Sequence, residues 1–304
     1  MCIRDRLLSL VTNVYREPGS GSSIKEVLEE NVGKDFRKAQ IKRDIAYINL
    51  QKEQGRLTSG EADYWKEKIG NLQEYQYGYH KGWSMFLDTL TWPVLIMMLI
   101  CIGIAPIFAG EYQSKCDSLI LCMKYGRSKL ILAKIISGWL YATGVYWGIT
   151  LIYSSIYMIF LGTQGADLPI QLKYPAMSVG YNLTMGEAVG ITLLLGYFFT
   201  LGIMGITLFM SALLKNTYAV IIVAFLLIII PTFLSLDTGG YVWSHVLSLL
   251  PPKIADFSFQ SYTAYSIGNI VLSWPVMAIL VNAIVAVLCS VLGYIIFRKH
   301  QVNK

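Results

Sequence analysis

Five long apolar stretches, at about residues 85–108, 130–162, 187–213, 217–236 and 270–297, decide what this chain can become. A helix that crosses a hydrocarbon core about 30 Å thick needs roughly 20 apolar residues, and each stretch reaches or exceeds that length. Inside lipid every backbone N–H and C=O must find its partner within the protein, so apolar runs of this length read as helices. Composition agrees: 55% of the residues are hydrophobic and only 14% charged, with a mean hydropathy of +0.51, which no soluble domain of this size matches. The expected fold class is all-α, a polytopic helical membrane protein with five spans. At 33 residues the second stretch would run about 50 Å, so it is expected to start in the interface, where Lys134 can extend its ammonium toward water. Pro93, Pro106, Pro231 and Pro275 lie in or near the spans, and Gly190, Gly196, Gly202 and Gly205 line the third. Such residues mark kinks or close helix packing.

Residues 16–84 are water-soluble in character and form a separate helical segment. Ser23 to Glu26 and Thr58 to Glu61 both fit a capping box, in which a hydroxyl and a carboxylate satisfy backbone N–H groups at a helix start. Between them a helix is expected over about 35–52, with Ile41, Ile45 and Ile48 on one face, and Gly55 as its end. The third helix carries Trp65, Ile69 and Leu72 on one stripe, which completes an antiparallel helical hairpin. Tyr64, Trp65, Tyr75, Tyr77, Tyr79 and Trp83 crowd the approach to the first span. They suit either a platform for an amphipathic substrate or, more simply, a hairpin core with an aromatic belt at the headgroup layer, and His80 fits the same simple account.

Charge sets the expected topology. Residues 1–88 hold 14 Lys/Arg against 13 Asp/Glu; loops at 111–134, 215 and 298–304 hold 9 against 2; the loops between them hold 2 against 4. Basic excess on one side is the positive-inside pattern, which places 109–129 and the C-terminus in the cytoplasm and residues 16–84 outside. An outer segment at this position needs a span ahead of it. Residues 1–15 are therefore expected to be a remnant or a sequence foreign to the frame, and six spans with both termini inside the expected full set.

Little in the chain can perform chemistry. His80, His245 and His300 are far apart, the five cysteines show no metal-ligand spacing, and neither a Gly-x-x-x-x-Gly-Lys-Ser/Thr loop nor a His-Glu-x-x-His motif is present. The spans hold no ionisable relay of the kind that ion-coupled carriers use. No catalytic, cofactor or metal residues are expected, and no groove-reading motif points to nucleic acid.

The loop at 109–129 is the informative interruption. Glu111 and Asp117 sit early in it, Leu119, Ile120, Leu121 and Met123 form an apolar run, and Lys124, Arg127 and Lys129 follow around a Tyr-Gly-Arg-Ser turn. Acids favour the positive end of a short helix, the apolar run can enter an interface or a partner's groove, and the cations can meet acidic groups or anionic lipid.

In order and spacing, Phe108-Ala-Gly-Glu111, Ser118-Leu-Ile-Leu121, Tyr125-Gly-Arg-Ser128 and Lys134 resemble the cytoplasmic loop of ABC-2 type permeases, the membrane subunits of a class of ATP-binding-cassette exporters. Leu208-Phe-Met-Ser-Ala-Leu-Leu-Lys-Asn216 and Leu249-Leu-Pro-Pro252 resemble later parts of the same family, so the likeness runs over roughly 85–300. It implies a permease domain at 85–304 in the cell membrane and a dimer of permeases, homo- or heteromeric. It also implies a separate ATPase subunit, which carries the ATP and magnesium and docks on Glu111, Asp117, Leu119, Leu121, Lys124, Arg127 and Lys129. A membrane immunity or sensor protein that binds a ligand through residues 16–84 is the alternative.

Overall fold

The computed structural model describes residues 14–15, 35–71, 78–89, 93–174, 179–235, 240–268 and 270–299. The expected helix after Ser23, together with Leu72, Tyr75, Tyr77, His300 and the final residues, lies outside them, as do the side chains of Asp117 and Leu121.

The protein is an all-α polytopic membrane protein. In chain order its helices are α1 (Phe36–Glu53), α2 (Ser59–Gly70), α3 (Lys81–Asp88), α4 (Pro93–Ile104), α5 (Pro106–Gln113), α6 (Asp117–Cys122), α7 (Lys129–Leu161), α8 (Met185–Leu213), α9 (Thr217–Phe233), α10 (Gly240–Ser248) and α11 (Trp274–Lys299). Short 3-10 turns stand at Ile170–Leu172 and Pro251–Asp256, and one antiparallel hairpin pairs β1 (Ala264–Ile267) with β2 (Ile270–Ser273). Four helices among the described residues are long and apolar enough to cross a membrane: Pro93–Gln113, taken through the α4–α5 break, Lys129–Leu161, Met185–Leu213 and Trp274–Lys299. The fifth expected span, α9, is apolar but has 17 residues, about 26 Å of helix. Two spans start more than two residues later than expected. The first span starts at Pro93, because Lys81–Asp88 is a helix of its own, and the last starts at Trp274, because Ile270–Ser273 is a strand.

Contacts divide the chain into two compact units. The first gathers three separate segments, up to Ser84, Thr163–Val189 and Phe257–Trp274. Here the helical hairpin forms as expected: Gly55 adopts φ +69°, closing α1. Thr58 then caps α2 with both arms of the box, its N–H donating to Glu61 Oε2 at 2.9 Å and its Oγ1 accepting from Glu61 N. Trp65, Ile69 and Ile48 are fully buried. Around Trp65 stand Tyr181 and Tyr262, both edge-on, at centroid distances of 4.9 and 5.3 Å. Phe259 meets Tyr181 at 5.5 Å, and Phe257 stacks on Trp274 at 4.4 Å. Edge-to-face and offset pairs of this kind add to the area they bury. The simple reading of Trp65 as core is the one this geometry supports.

The second unit comprises Met85–Gly162, Gly190–Asp256 and Pro275 onward. Its core is built from stripes at helical spacing: Ile96, Ile100, Ile104 and Phe108; Ile131, Ile135, Ala142 and Tyr146; Leu201, Met204, Leu208 and Ala212. A Cβ on Gly205 would lie 2.7 Å from the Ala286 backbone, and one on Gly202 2.5 Å from Asn282, so α8 and α11 approach as closely as backbones allow. Gly190, by contrast, faces open space.

Candidate functional site

The loop begins while the first membrane helix is still running. Pro106 interrupts the helix at Ala105, and α5 carries Glu111 one turn past the apolar core. Ser114 ends α5 by donating to the Gly110 carbonyl at 2.8 Å, and Lys115, at φ +57°, reverses the chain. α6 is a helix of six residues, Asp117–Cys122. A turn over 123–128 then delivers the chain to α7, with Ser128 and Leu130 both donating to the Tyr125 carbonyl at 3.2 Å. Gly126 is what lets that turn close: a Cβ there would fall 1.6 Å from the Ile120 carbonyl oxygen.

The structure separates the expected docking residues into two groups. Glu111 pairs with Lys134 of α7, each about one-fifth exposed. The Lys134 ammonium also donates to the Ile107 carbonyl at 2.9 Å and lies 5.9 Å from the Phe108 ring. This partly shielded pair clasps the base of the loop between two membrane helices. Lys124, Arg127 and Lys129 form the exposed tip. The Lys124 and Lys129 ammoniums stand 5.5 and 4.7 Å from the Tyr125 ring centre, and Leu119, 70% exposed, projects from α6. Such a tip offers cations, an aromatic ring and an apolar anchor together, a set suited to an acidic or amphipathic surface. Asp117 and Leu121 contribute backbone to α6.

Sequence pattern assigns Lys134 no partner and Ser211 no role of its own. Ser211 Oγ, buried, accepts from Phe108 N and Ala109 N at 3.0 Å each and donates to the Ala105 carbonyl at 2.7 Å. Cys101 and Thr207 meet at 3.2 Å one helical turn deeper, and Tyr112 OH donates to the Ala212 carbonyl at 3.2 Å. A polar seam therefore runs along α4, α5 and α8. The one local trace in the sequence was Pro106.

In the first unit a groove of about 370 Å³ is lined by Tyr64, Glu67, Lys68, Asn71, Tyr181, Asn182 and Leu183. Asn182 Nδ2 donates to the Asn71 carbonyl at 3.2 Å, which ties its two walls together. The Tyr181 phenol is pushed well above its ordinary pKa, first by burial and then by the neighbouring Tyr64 and Tyr262, so it is a neutral hydroxyl at any physiological pH.

These features define a helical membrane protein with a cationic loop braced against its membrane helices. The chain belongs to the family described as protein of unknown function (DUF2705), whose model matches residues 64–302. No curated protein and no solved structure matches it.

Proposed function

We propose that this chain is the membrane permease subunit of an ATP-driven exporter of the ABC-2 type, energised by a separate ATPase that docks on the loop 109–129. The observation that carries the reading is the loop's division of labour. An exposed tip of Lys124, Tyr125, Arg127 and Lys129 is joined, through the Glu111–Lys134 clasp and Ser211, to three membrane helices. A partner pressing on such a tip would move helices rather than a slack connector.

In this reading the loop and the C-terminus face the cytoplasm of the cell. Residues 16–84, 163–186 and 237–269 lie outside. The gathering of the hairpin, Thr163–Val189 and Phe257–Trp274 into one unit supports a common face for those segments. Two permease chains, identical or not, form the path, and ATP with magnesium is held by the partner. The test is co-purification. Tagged full-length protein should bring down an ATPase, and Lys124→Glu with Arg127→Glu should abolish the association. Recovery of no ATPase, or a charge-reversed protein with unchanged function, contradicts the reading.

A second reading, a membrane immunity or sensor protein, is favoured by one observation, the groove beside Tyr181 in the first unit. It predicts that Tyr64→Ala and Asn182→Ala abolish function while the charge-reversed tip has no effect.

A further inference from the structure

The break at Pro106 is bridged rather than merely tolerated. Proline has no N–H to give, and its ring crowds the carbonyl four residues back, so a helix bends or breaks there. In an unbroken helix Ala109 N would donate to the Ala105 carbonyl. Here the Ser211 hydroxyl stands between them: Ala109 N reaches Ser211 Oγ at 3.0 Å, and Ser211 reaches the Ala105 oxygen at 2.7 Å. Phe108 N takes the second acceptor position at 3.0 Å. A serine hydroxyl has one hydrogen to donate and two lone pairs, and all three are used. A side chain inserted into the helical ladder is a recognised cause of a sharp bend, but this one comes from a different helix, more than 100 residues away in sequence.

The surroundings of α5 make the break consequential. Below the break, α5 is held by Lys134 at the Ile107 carbonyl and at Glu111, and its Phe108 and Tyr112 rings lie 4.6 and 5.4 Å from Phe297 of α11. Above it, α4 is tied to α8 by Cys101 and Thr207. Both halves of this membrane helix are tied to α8, α4 through Cys101 and α5 through Tyr112, but α5 alone is also held by Lys134 and Phe297, and Ser211 spans the joint.

We propose that Ala105–Pro106 is a hinge and the Ser211 hydroxyl its latch. The helix has two backbone arrangements. In the latched one, seen here, α8 supplies the bonds. In the unlatched one, the bridge between Ala109 N and the Ala105 carbonyl is lost, the Phe108 and Ala109 amides are left open, and α5 swings against α4. Two discrete arrangements, rather than a soft bend, are what a packed core permits. The latch rests on the reading of loop 109–129 as the input of force, and it names the place where that force passes from α5 to α8.

The experiment is hydrogen exchange on full-length protein in lipid nanodiscs, joined to a distance measurement between spin labels at Gln113 and Lys299. Ser211→Ala should speed exchange of the Phe108 and Ala109 amides at least tenfold and add a second distance to a single-peaked distribution. Ser211→Thr, which keeps the hydroxyl, should restore both readouts. Ser114→Ala, which removes a hydroxyl from the exposed end of α5, should change neither. Combined with Pro106→Ala, Ser211→Ala should lose most of its effect, since the backbone can then close its own ladder. Exchange and distances in Ser211→Ala that match the unmodified protein overturn the latch, as does a double variant that exchanges as fast as Ser211→Ala alone. Neither readout involves an ATPase, so failure of the latch and failure of the permease reading are separate results.

Discussion

The two units of this protein hold themselves together by different means. In the first, stability comes from rings and caps: Trp65 is fully buried against Tyr181 and Tyr262, and α2 starts on a complete capping box at Thr58. In the second, apolar side chains are equally at home in lipid, so their burial drives little association between helices. What remains is close approach and polar bonding: Gly202 and Gly205 against α11, Trp139 Nε1 donating to Ser290 Oγ at 3.1 Å, Tyr146 OH donating to the Leu193 carbonyl at 2.6 Å, and Ser211 at the hinge. The contrast teaches that a tryptophan does different work in the two units. Trp65 fills a core; Trp139 packs only partly buried against one and adds a hydrogen bond at its ring nitrogen.

Substitutions should reproduce that contrast in chemical unfolding of the protein in detergent micelles. Trp65→Ala should have the largest effect, about 3–5 kcal/mol, because a large ring leaves a cavity that its neighbours only partly fill. A loss below about 1 kcal/mol would break the comparison, since it would deny the first unit an aromatic core. Gly205→Ala comes next, at about 1–3 kcal/mol, because its methyl meets the Ala286 backbone at 2.7 Å and one helix must move. Gly190→Ala, with open space beside it, should be neutral or slightly stabilising, so equal effects at the two glycines would remove the argument from close approach. Thr58→Ala should remove about 1 kcal/mol from the first unit through loss of a cap. Trp139→Phe should give the smallest of the losses, about 0.6 kcal/mol, the average found for hydrogen bonds between membrane helices. A much larger loss there would mean that ring packing, and not the bond to Ser290, secures α7.

Much of this architecture could be read from local pattern. The hairpin was legible because α1, Gly55, Thr58 and Glu61 each carry a short-range signal, and the spans because apolar runs of their length have few alternatives. A further capping box, Thr184 to Glu187, was equally visible and went unread; it sets α8 to begin at Met185 rather than 187. The hairpin at 264–273 was missed for a different reason. Ile270-Val-Leu272 is apolar and runs straight into a membrane helix, so β2 looked like its first turn, although Gly268, at φ +61°, marks the reversal. In the loop, composition identified Lys124, Arg127 and Lys129 as a cluster, and the structure leaves all three exposed. It could not separate Glu111 from them, because the Lys134 that draws Glu111 inward is 23 residues away. Ser211 at the hinge is a contact between distant helices, and periodicity carries no information about such pairs. The same holds for the first unit, whose three segments meet only in the folded chain.

The proposed permease requires the hairpin and the loop tip to face opposite sides of one membrane. Both Ser59 and Ser128 are exposed, so a cysteine at either position in a full-length protein stripped of its native cysteines is open to reagent. In whole cells an impermeant maleimide should label Ser59→Cys at once and Ser128→Cys only after the membrane is permeabilised. Labelling of both in intact cells, or of Ser128→Cys alone, would place the loop beyond the reach of a cytoplasmic ATPase and contradict the account.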